Sequence, residues 1–150
     1  MADKVTPSSE HEKLLIFEGS WEGEQPSPKG KWRGRLVMRR GLDGLFIVQD
    51  YVQERNGKPE YSGHGVVGFD PAAKRYTWYW VDTMGTVADV LRGEWEGQTL
   101  RFVGRSPKGE ARYSYRFEGN DRLHYTIENK TNGAWTVARS WSYDRRLSMS

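Results

Sequence analysis

Nine turn signals punctuate this chain, and their regular spacing constrains the fold more than any other feature. They fall at Pro26–Gly30, Gly41–Gly44, Asn56–Pro59, Asp70–Ala73, Thr83–Gly85, Glu96–Gly97, Pro107–Gly109, Gly119–Asp121 and Asn132–Gly133. Such residues mark turns because they supply a positive φ, a fixed φ or a side chain that bonds its own backbone. The signals recur about every 11–15 residues, which leaves room for strands between short loops. Nine turns separate ten strands, and the short loops predict an antiparallel up-and-down meander. No segment is long enough for a crossover helix, so parallel βαβ folds are excluded.

Alternation gives several strands one dry face and one wet face. In 111–117, Tyr113, Tyr115 and Phe117 oppose Arg112, Ser114 and Arg116; in 121–129, Leu123, Tyr125 and Ile127 oppose Arg122, His124, Thr126 and Glu128. In 99–105, Leu100 and Phe102 oppose Arg101, Val103 and Arg105. A meander with one buried face must close or leave its edges open. The predicted architecture is therefore all-β, an antiparallel up-and-down barrel of about ten strands. Strands 45–53 and 86–92 carry apolar residues on both faces, which predicts a cover from the helix or a second subunit. Residues 1–8 read as a loose tail. Ser9 and Glu12 have capping-box spacing, and a short helix over 9–18 ends at Gly19. Its Leu14, Leu15 and Phe17 need a surface to pack on, which one end of the barrel supplies. With no repeat and no linker, residues 1–150 read as one domain, with the barrel over 19–144.

Composition narrows the function. There are 7 Trp, 8 Tyr and 5 Phe in 150 residues, enough to build an aromatic core despite low overall hydropathy. The absence of Cys excludes disulfides, thiolate metal sites and cysteine nucleophiles. The formal charge of +3 comes from 23 basic and 20 acidic residues, too balanced for a nucleic-acid binder. No apolar run approaches a membrane helix, and Met1 to Glu10 is polar, so a cytoplasmic protein with no membrane partner is expected.

The chemistry-bearing residues are few. On the last strand, Trp135, Val137, Arg139, Trp141 and Tyr143 share one face by alternation. If that face is inside, Arg139 needs a carboxylate partner or an anionic ligand. Tyr76, Trp78, Trp80 and Asp82 share a face of the fifth strand, which makes Asp82 a candidate counter-ion for Arg139. Tyr113, Tyr115 and Tyr125 would add hydroxyls. Gly63-His64-Gly65-Val66-Val67-Gly68 fits a nucleotide fingerprint in letters only, because it lies within a strand and no helix follows. The structural reading is that its glycines bend the strand or let aromatic rings lie over it. His64 shares parity with Ser62 and Val66, so an inward imidazole requires a bulge. The three histidines, His11, His64 and His124, are too far apart in sequence to suggest a metal site.

Gly19-Ser20-Trp21, placed after a short helix at the opening of the first strand, resembles the lipocalin and calycin signature. That resemblance implies a Trp plugging the closed end and a late Arg over its ring, here Arg145 or Arg146. Further matching segments are Gly19-Ser20-Trp21-Glu22-Gly23, Gly41-Leu42-Asp43-Gly44-Leu45-Phe46, Tyr61-Ser62-Gly63-His64-Gly65, Gly68-Phe69-Asp70, Trp80-Val81-Asp82 and Trp141-Ser142-Tyr143-Asp144-Arg145. Together they resemble a bacterial family, domain of unknown function 1579, over about residues 10–146. This implies a lipocalin-like barrel and carries no activity with it. The Gly-x-Trp-x-Gly opening distantly resembles nitrobindin-type haem barrels, which implies an axial His on a late strand. Ala134–Tyr143 has none, and His124 points outward by parity.

The expected function is binding of a small, partly apolar molecule inside the barrel, with an anionic head as the option Arg139 would serve. Arg139, Trp141, Trp80, Asp82, Tyr115, Tyr125 and His64 are the candidate ligand-binding residues, with no cofactor or metal. Alternatives are an enzyme using Asp82 and His64 in acid–base chemistry, a haem binder, and a homodimer formed through the two-sided strands near 45–52 and 87–91.

Overall fold

Asn-Gly pairs close two of the tightest hairpins, with Asn56 and Gly57 at φ 52° and 78° and Asn132 and Gly133 at 52° and 80°. These left-handed values match the strand twist and favour hairpins. A computed structural model describes residues 3–85, 90–106 and 108–146. Positions 86–89 of the expected 86–92 strand, and Pro107, lie outside the described residues. Ten strands follow in order: β1 Gly19–Ser27, β2 Gly30–Gly41, β3 Phe46–Arg55, β4 Lys58–Asp70, β5 Arg75–Asp82, β6 Val90–Glu96, β7 Thr99–Ser106, β8 Gly109–Glu118, β9 Arg122–Thr131 and β10 Ala134–Arg146. Each pairs antiparallel with the next, and β10 returns to β1, so the sheet closes into the barrel the turns predicted. Closure rests on a short seam, Ser20↔Arg146 to Glu22↔Asp144. Among the described residues no helix is long and apolar enough to cross a membrane.

The helix α1 covers Ser9–Glu12 and tightens into a 3₁₀ turn over Lys13–Phe17. Its cap is Ser8 rather than the expected Ser9, with the Ser8 N–H donating to His11 Nδ1 at 2.9 Å. Leu14 and Phe17 are buried and Leu15 is exposed, so two of the three apolar residues plug one end of the barrel. Trp21 lies beneath them, fully buried, and its Nε1–H donates to the Phe17 carbonyl at 2.9 Å. Arg145 stacks on the Trp21 ring at 4.1 Å, which resolves the expected choice between Arg145 and Arg146. Gly19 makes room for that stack: its φ is 137°, and a Cβ there would stand 2.5 Å from Arg145 Nη1.

Buried aromatic rings pack against one another through the interior. Edge and tilted contacts run from Phe17 through Tyr115, Tyr125 and Trp141 to Trp32, with centroids 4.8–5.3 Å apart. Such geometry adds attraction beyond the area buried. Gln49 is wholly buried at mid-height. It accepts from Trp78 Nε1 at 2.8 Å, and its amide faces Tyr115 Oη at 3.4 Å and Met38 Sδ at 3.3 Å. A buried amide is tolerated because its groups find partners. Tyr115 and Tyr125, expected among the ligand-binding residues, belong to this packed middle.

Candidate functional site

At the end of the barrel away from the helix the inward residues of the strands are only half-buried: Tyr61, Trp80, Asp82, Tyr113, Ile127 and Trp141. Arg139 is exposed at this mouth. It faces the inner side by alternation with Trp141 and Tyr143, and β10 carries a bulge just before it. Val137 pairs with Glu128 and Arg139 with Ile127, so Ala138 is an extra residue. An extra residue reverses facing along a strand. Trp135 and Val137 therefore do not share a face with Arg139, Trp141 and Tyr143. Trp135 lies outside under the Arg112 guanidinium at 4.4 Å, and Val137 is 63 % exposed.

Two tryptophans hold Arg139. Its guanidinium carbon lies 5.5 Å from the Trp32 ring and 5.2 Å from the Trp141 ring, and the rings meet edge-on at 5.3 Å. Among the described residues Arg139 has no hydrogen bond and no ion pair. The expected buried pair with Asp82 does not form. β5 and β10 are five strands apart in a ring of ten, so Asp82 and Arg139 stand on opposite walls. Asp82 is held instead by Tyr61 Oη at 2.7 Å, Trp80 Nε1 at 3.0 Å and the Met84 N–H at 3.0 Å. Burial, and then the bond to Asp82, push the Tyr61 hydroxyl well above its ordinary range, so it remains a donor.

A second polar chain descends the β3–β4 wall. Arg55 clasps Glu60 at 2.8 and 3.0 Å, Gln53 donates to Glu60 at 2.7 Å, and Tyr51 donates to Gln53 at 3.0 Å. The Arg55 bond is the main reason the Glu60 carboxyl sits below its ordinary value. Burial pushes Tyr51 up to about 12. Sequence reasoning missed Gln49, Gln53 and Trp32, although their parity with Ile47, Tyr51 and Leu36 marks them as inward.

Gly63 and Gly65 give Trp80 its place. The indole lies against both: a Cβ on Gly63 would stand 2.0 Å from Trp80 Cζ2, and one on Gly65 would stand 2.8 Å from its Cε3. The glycine-rich run is thus a seat for an aromatic side chain, as its structural reading holds.

His64 is on the outer wall. Its Nδ1 meets Asp50 at 2.8 Å, and Asp50 also takes Arg39 at 3.0 Å. Asp82 and His64 therefore face opposite sides of the sheet, which removes the acid–base pair. The haem alternative fails on the same placement. His124 is bonded outside to Ser142 and Glu118, and His11 is at the helix end against Phe69. No imidazole faces the mouth, so the residues present do not fit a His-ligated haem.

Two surface clefts flank this geometry. One, of about 440 Å³, opens where β1 and β10 part beyond Glu22, with Trp141 in its wall. Glu22 there takes Arg33 at 2.5 Å, Arg35 at 3.3 Å and Arg146 at 3.4 Å. The other, of about 530 Å³, lies beside the helix against Phe69, Tyr76 and Trp95.

No curated protein matches the chain. The stretch that builds the plugged end, the bulge and the mouth is nearly the whole sequence, and residues 6–145 match the family described as protein of unknown function, DUF1579; the chain belongs to that family.

Proposed function

We propose that this barrel is a lipocalin-like binding protein whose mouth, rather than its packed middle, takes a small and partly apolar molecule with an anionic head. The observation that carries the reading is Arg139: a guanidinium oriented by two indoles, with all its donors left over. A cation stacked on rings in a partly dry site offers a planar fork suited to a carboxylate. Trp141, Trp80, Tyr113 and Ile127 supply the apolar contact. On the far wall Asp82 offers an acceptor for a hydroxyl or amine at the ligand's other end. The seat of Trp80 over Gly63 and Gly65, and the Tyr61–Asp82 bond, hold that wall in place before any ligand arrives.

The test is a thermal-shift screen of aromatic and aliphatic carboxylates against matched amines and alcohols. Carboxylates should raise the melting temperature of the wild type, and Arg139→Ala should abolish the rise without altering the unliganded melt. A carboxylate shift that survives Arg139→Ala, or a screen in which only amines act, contradicts the reading.

A further inference from the structure

Arg139 and Asp82 are level with each other. From Arg139 the line of cross-strand partners passes round through β9, β8, β7 and β6 and arrives on β5 at Tyr76, six positions nearer the plugged end than Asp82. From Asp82 it passes round through β4, β3, β2 and β1 and arrives on β10 at Arg145, six positions nearer the plugged end than Arg139. Equal drops over the two half-circuits put the two residues at one height on opposite walls. Each faces the mouth with its charge unanswered. Among the described residues Asp82 has no ion pair. Its three donors, the Tyr61 hydroxyl, the Trp80 indole and the Met84 N–H, are neutral, and they leave its carboxylate room for a further donor. The other charged pair at that end, Arg55 and Glu60, answers itself at 2.8 Å. Burial, and next the Asp82 charge, raise the Tyr113 hydroxyl above its ordinary value, so a third ring lies in the field of that carboxylate.

We propose that the mouth selects a zwitterion: a ligand with a carboxylate for Arg139, an ammonium for Asp82 and an apolar spacer between them. This rests on the reading of Arg139 as the holder of an anionic head, and it names the group at the ligand's other end. Two fixed charges of opposite sign, too far apart to meet, are complementary to a ligand that carries both signs. A hydroxyl would satisfy a lone pair of Asp82 and leave its charge; an ammonium satisfies both. The rings of Trp80, Tyr61 and Tyr113 favour the same choice, because electron-rich faces attract a cation. Strands about 4.8 Å apart and tilted by about 40° make a ten-strand barrel about 20 Å across. Less the reach of the two side chains, the gap is on the order of 10 Å. With a hydrogen bond at each end, a chain of about four to six carbons fills it. The ligand class is therefore the ω-amino carboxylates.

Calorimetric titration of the full chain with three probes of one length tests the proposal: pentanoate, and hydroxypentanoate and aminopentanoate with the added group on the terminal carbon. Aminopentanoate should bind at least about 10-fold more tightly than the other two. Asp82→Asn should remove that gain and leave pentanoate within about 2-fold of its wild-type affinity. A ladder of ω-amino acids on the wild type carries the test if circular dichroism shows Asp82→Asn unfolded. The gain of each over its plain carboxylate should be absent for glycine and peak at about four to six carbons. Equal affinity of aminopentanoate and hydroxypentanoate overturns the proposal. So does a gain that survives in folded Asp82→Asn, or one as large for glycine as for aminopentanoate. Pentanoate separates this proposal from the reading beneath it. If pentanoate binds and Arg139→Ala weakens it, that reading stands, and a missing ammonium gain overturns the zwitterion alone. If no carboxylate binds, both fall.

Discussion

Arg145 and Arg139 both lie over tryptophan rings on the same strand, six positions apart, yet they serve opposite ends of the barrel. Arg145 covers Trp21 and spends its donors on the chain: Nε on the Asn120 carbonyl at 2.7 Å, one terminal nitrogen on Ile16 at 2.8 Å and the other on Glu18. It staples the last strand to the helix that plugs the barrel. Arg139 has the same kind of ring beneath it and no such partners. Stacking on an indole therefore does not separate a structural arginine from a ligand-reading one; the destination of its five N–H groups does.

Truncations can break this comparison. Trp21→Ala empties a fully buried site and should cost about 3–5 kcal/mol, read as a lower urea midpoint. Gly63→Ala should drive Trp80 off its seat, costing about 1–3 kcal/mol. It should also move the tryptophan emission and weaken ligand binding, whereas a mutation at the plugged end should touch stability alone. Arg145→Ala should cost about 2 kcal/mol, through the desolvated stack and the stranded carbonyls.

Acid sharpens the comparison further. The Arg33 guanidinium bonded to Glu22, aided by Arg146, holds the Glu22 carboxyl below its ordinary value. A depressed folded value means the seam's contribution is present above about pH 4.5 and is lost as pH falls through the folded value. The contribution is under about 1 kcal/mol for so accessible a network. Denaturation of wild type and Glu22→Gln from pH 7 to 3 should converge at the acid end. Arg139→Ala should be the mildest of all, within about 0.5 kcal/mol of wild type. Equal losses at Arg139 and Arg145 would erase the distinction between the two ends.

The turn residues make the strand count and the closure legible, since each of the nine signals has its own backbone chemistry. Trp21 and a late arginine over it are legible through the resemblance of Gly19-Ser20-Trp21 to the lipocalin signature, but the choice of Arg145 over Arg146 needs the structure, where Gly19 leaves room for the stack. Facing along β10 is not legible. Alternation counts residues and is blind to an extra one, so Trp135 and Val137 read as inward until the bulge at Ala138 is seen. The fate of Asp82 is equally hidden: parity sends both Asp82 and Arg139 inward, but only the strand order sets them on opposite walls. The packed middle escapes as well, because the size of a barrel's lumen depends on how rings from several strands interlock around Gln49.

The account turns on Arg139 as the reader of an anionic head. The most direct test is calorimetric titration of the strongest carboxylate from the screen into wild type and Arg139→Ala at neutral pH. Loss of a charge-assisted, bidentate contact predicts affinity at least about 10-fold weaker in Arg139→Ala, with the protein still folded. Equal affinity in the two proteins would contradict the account.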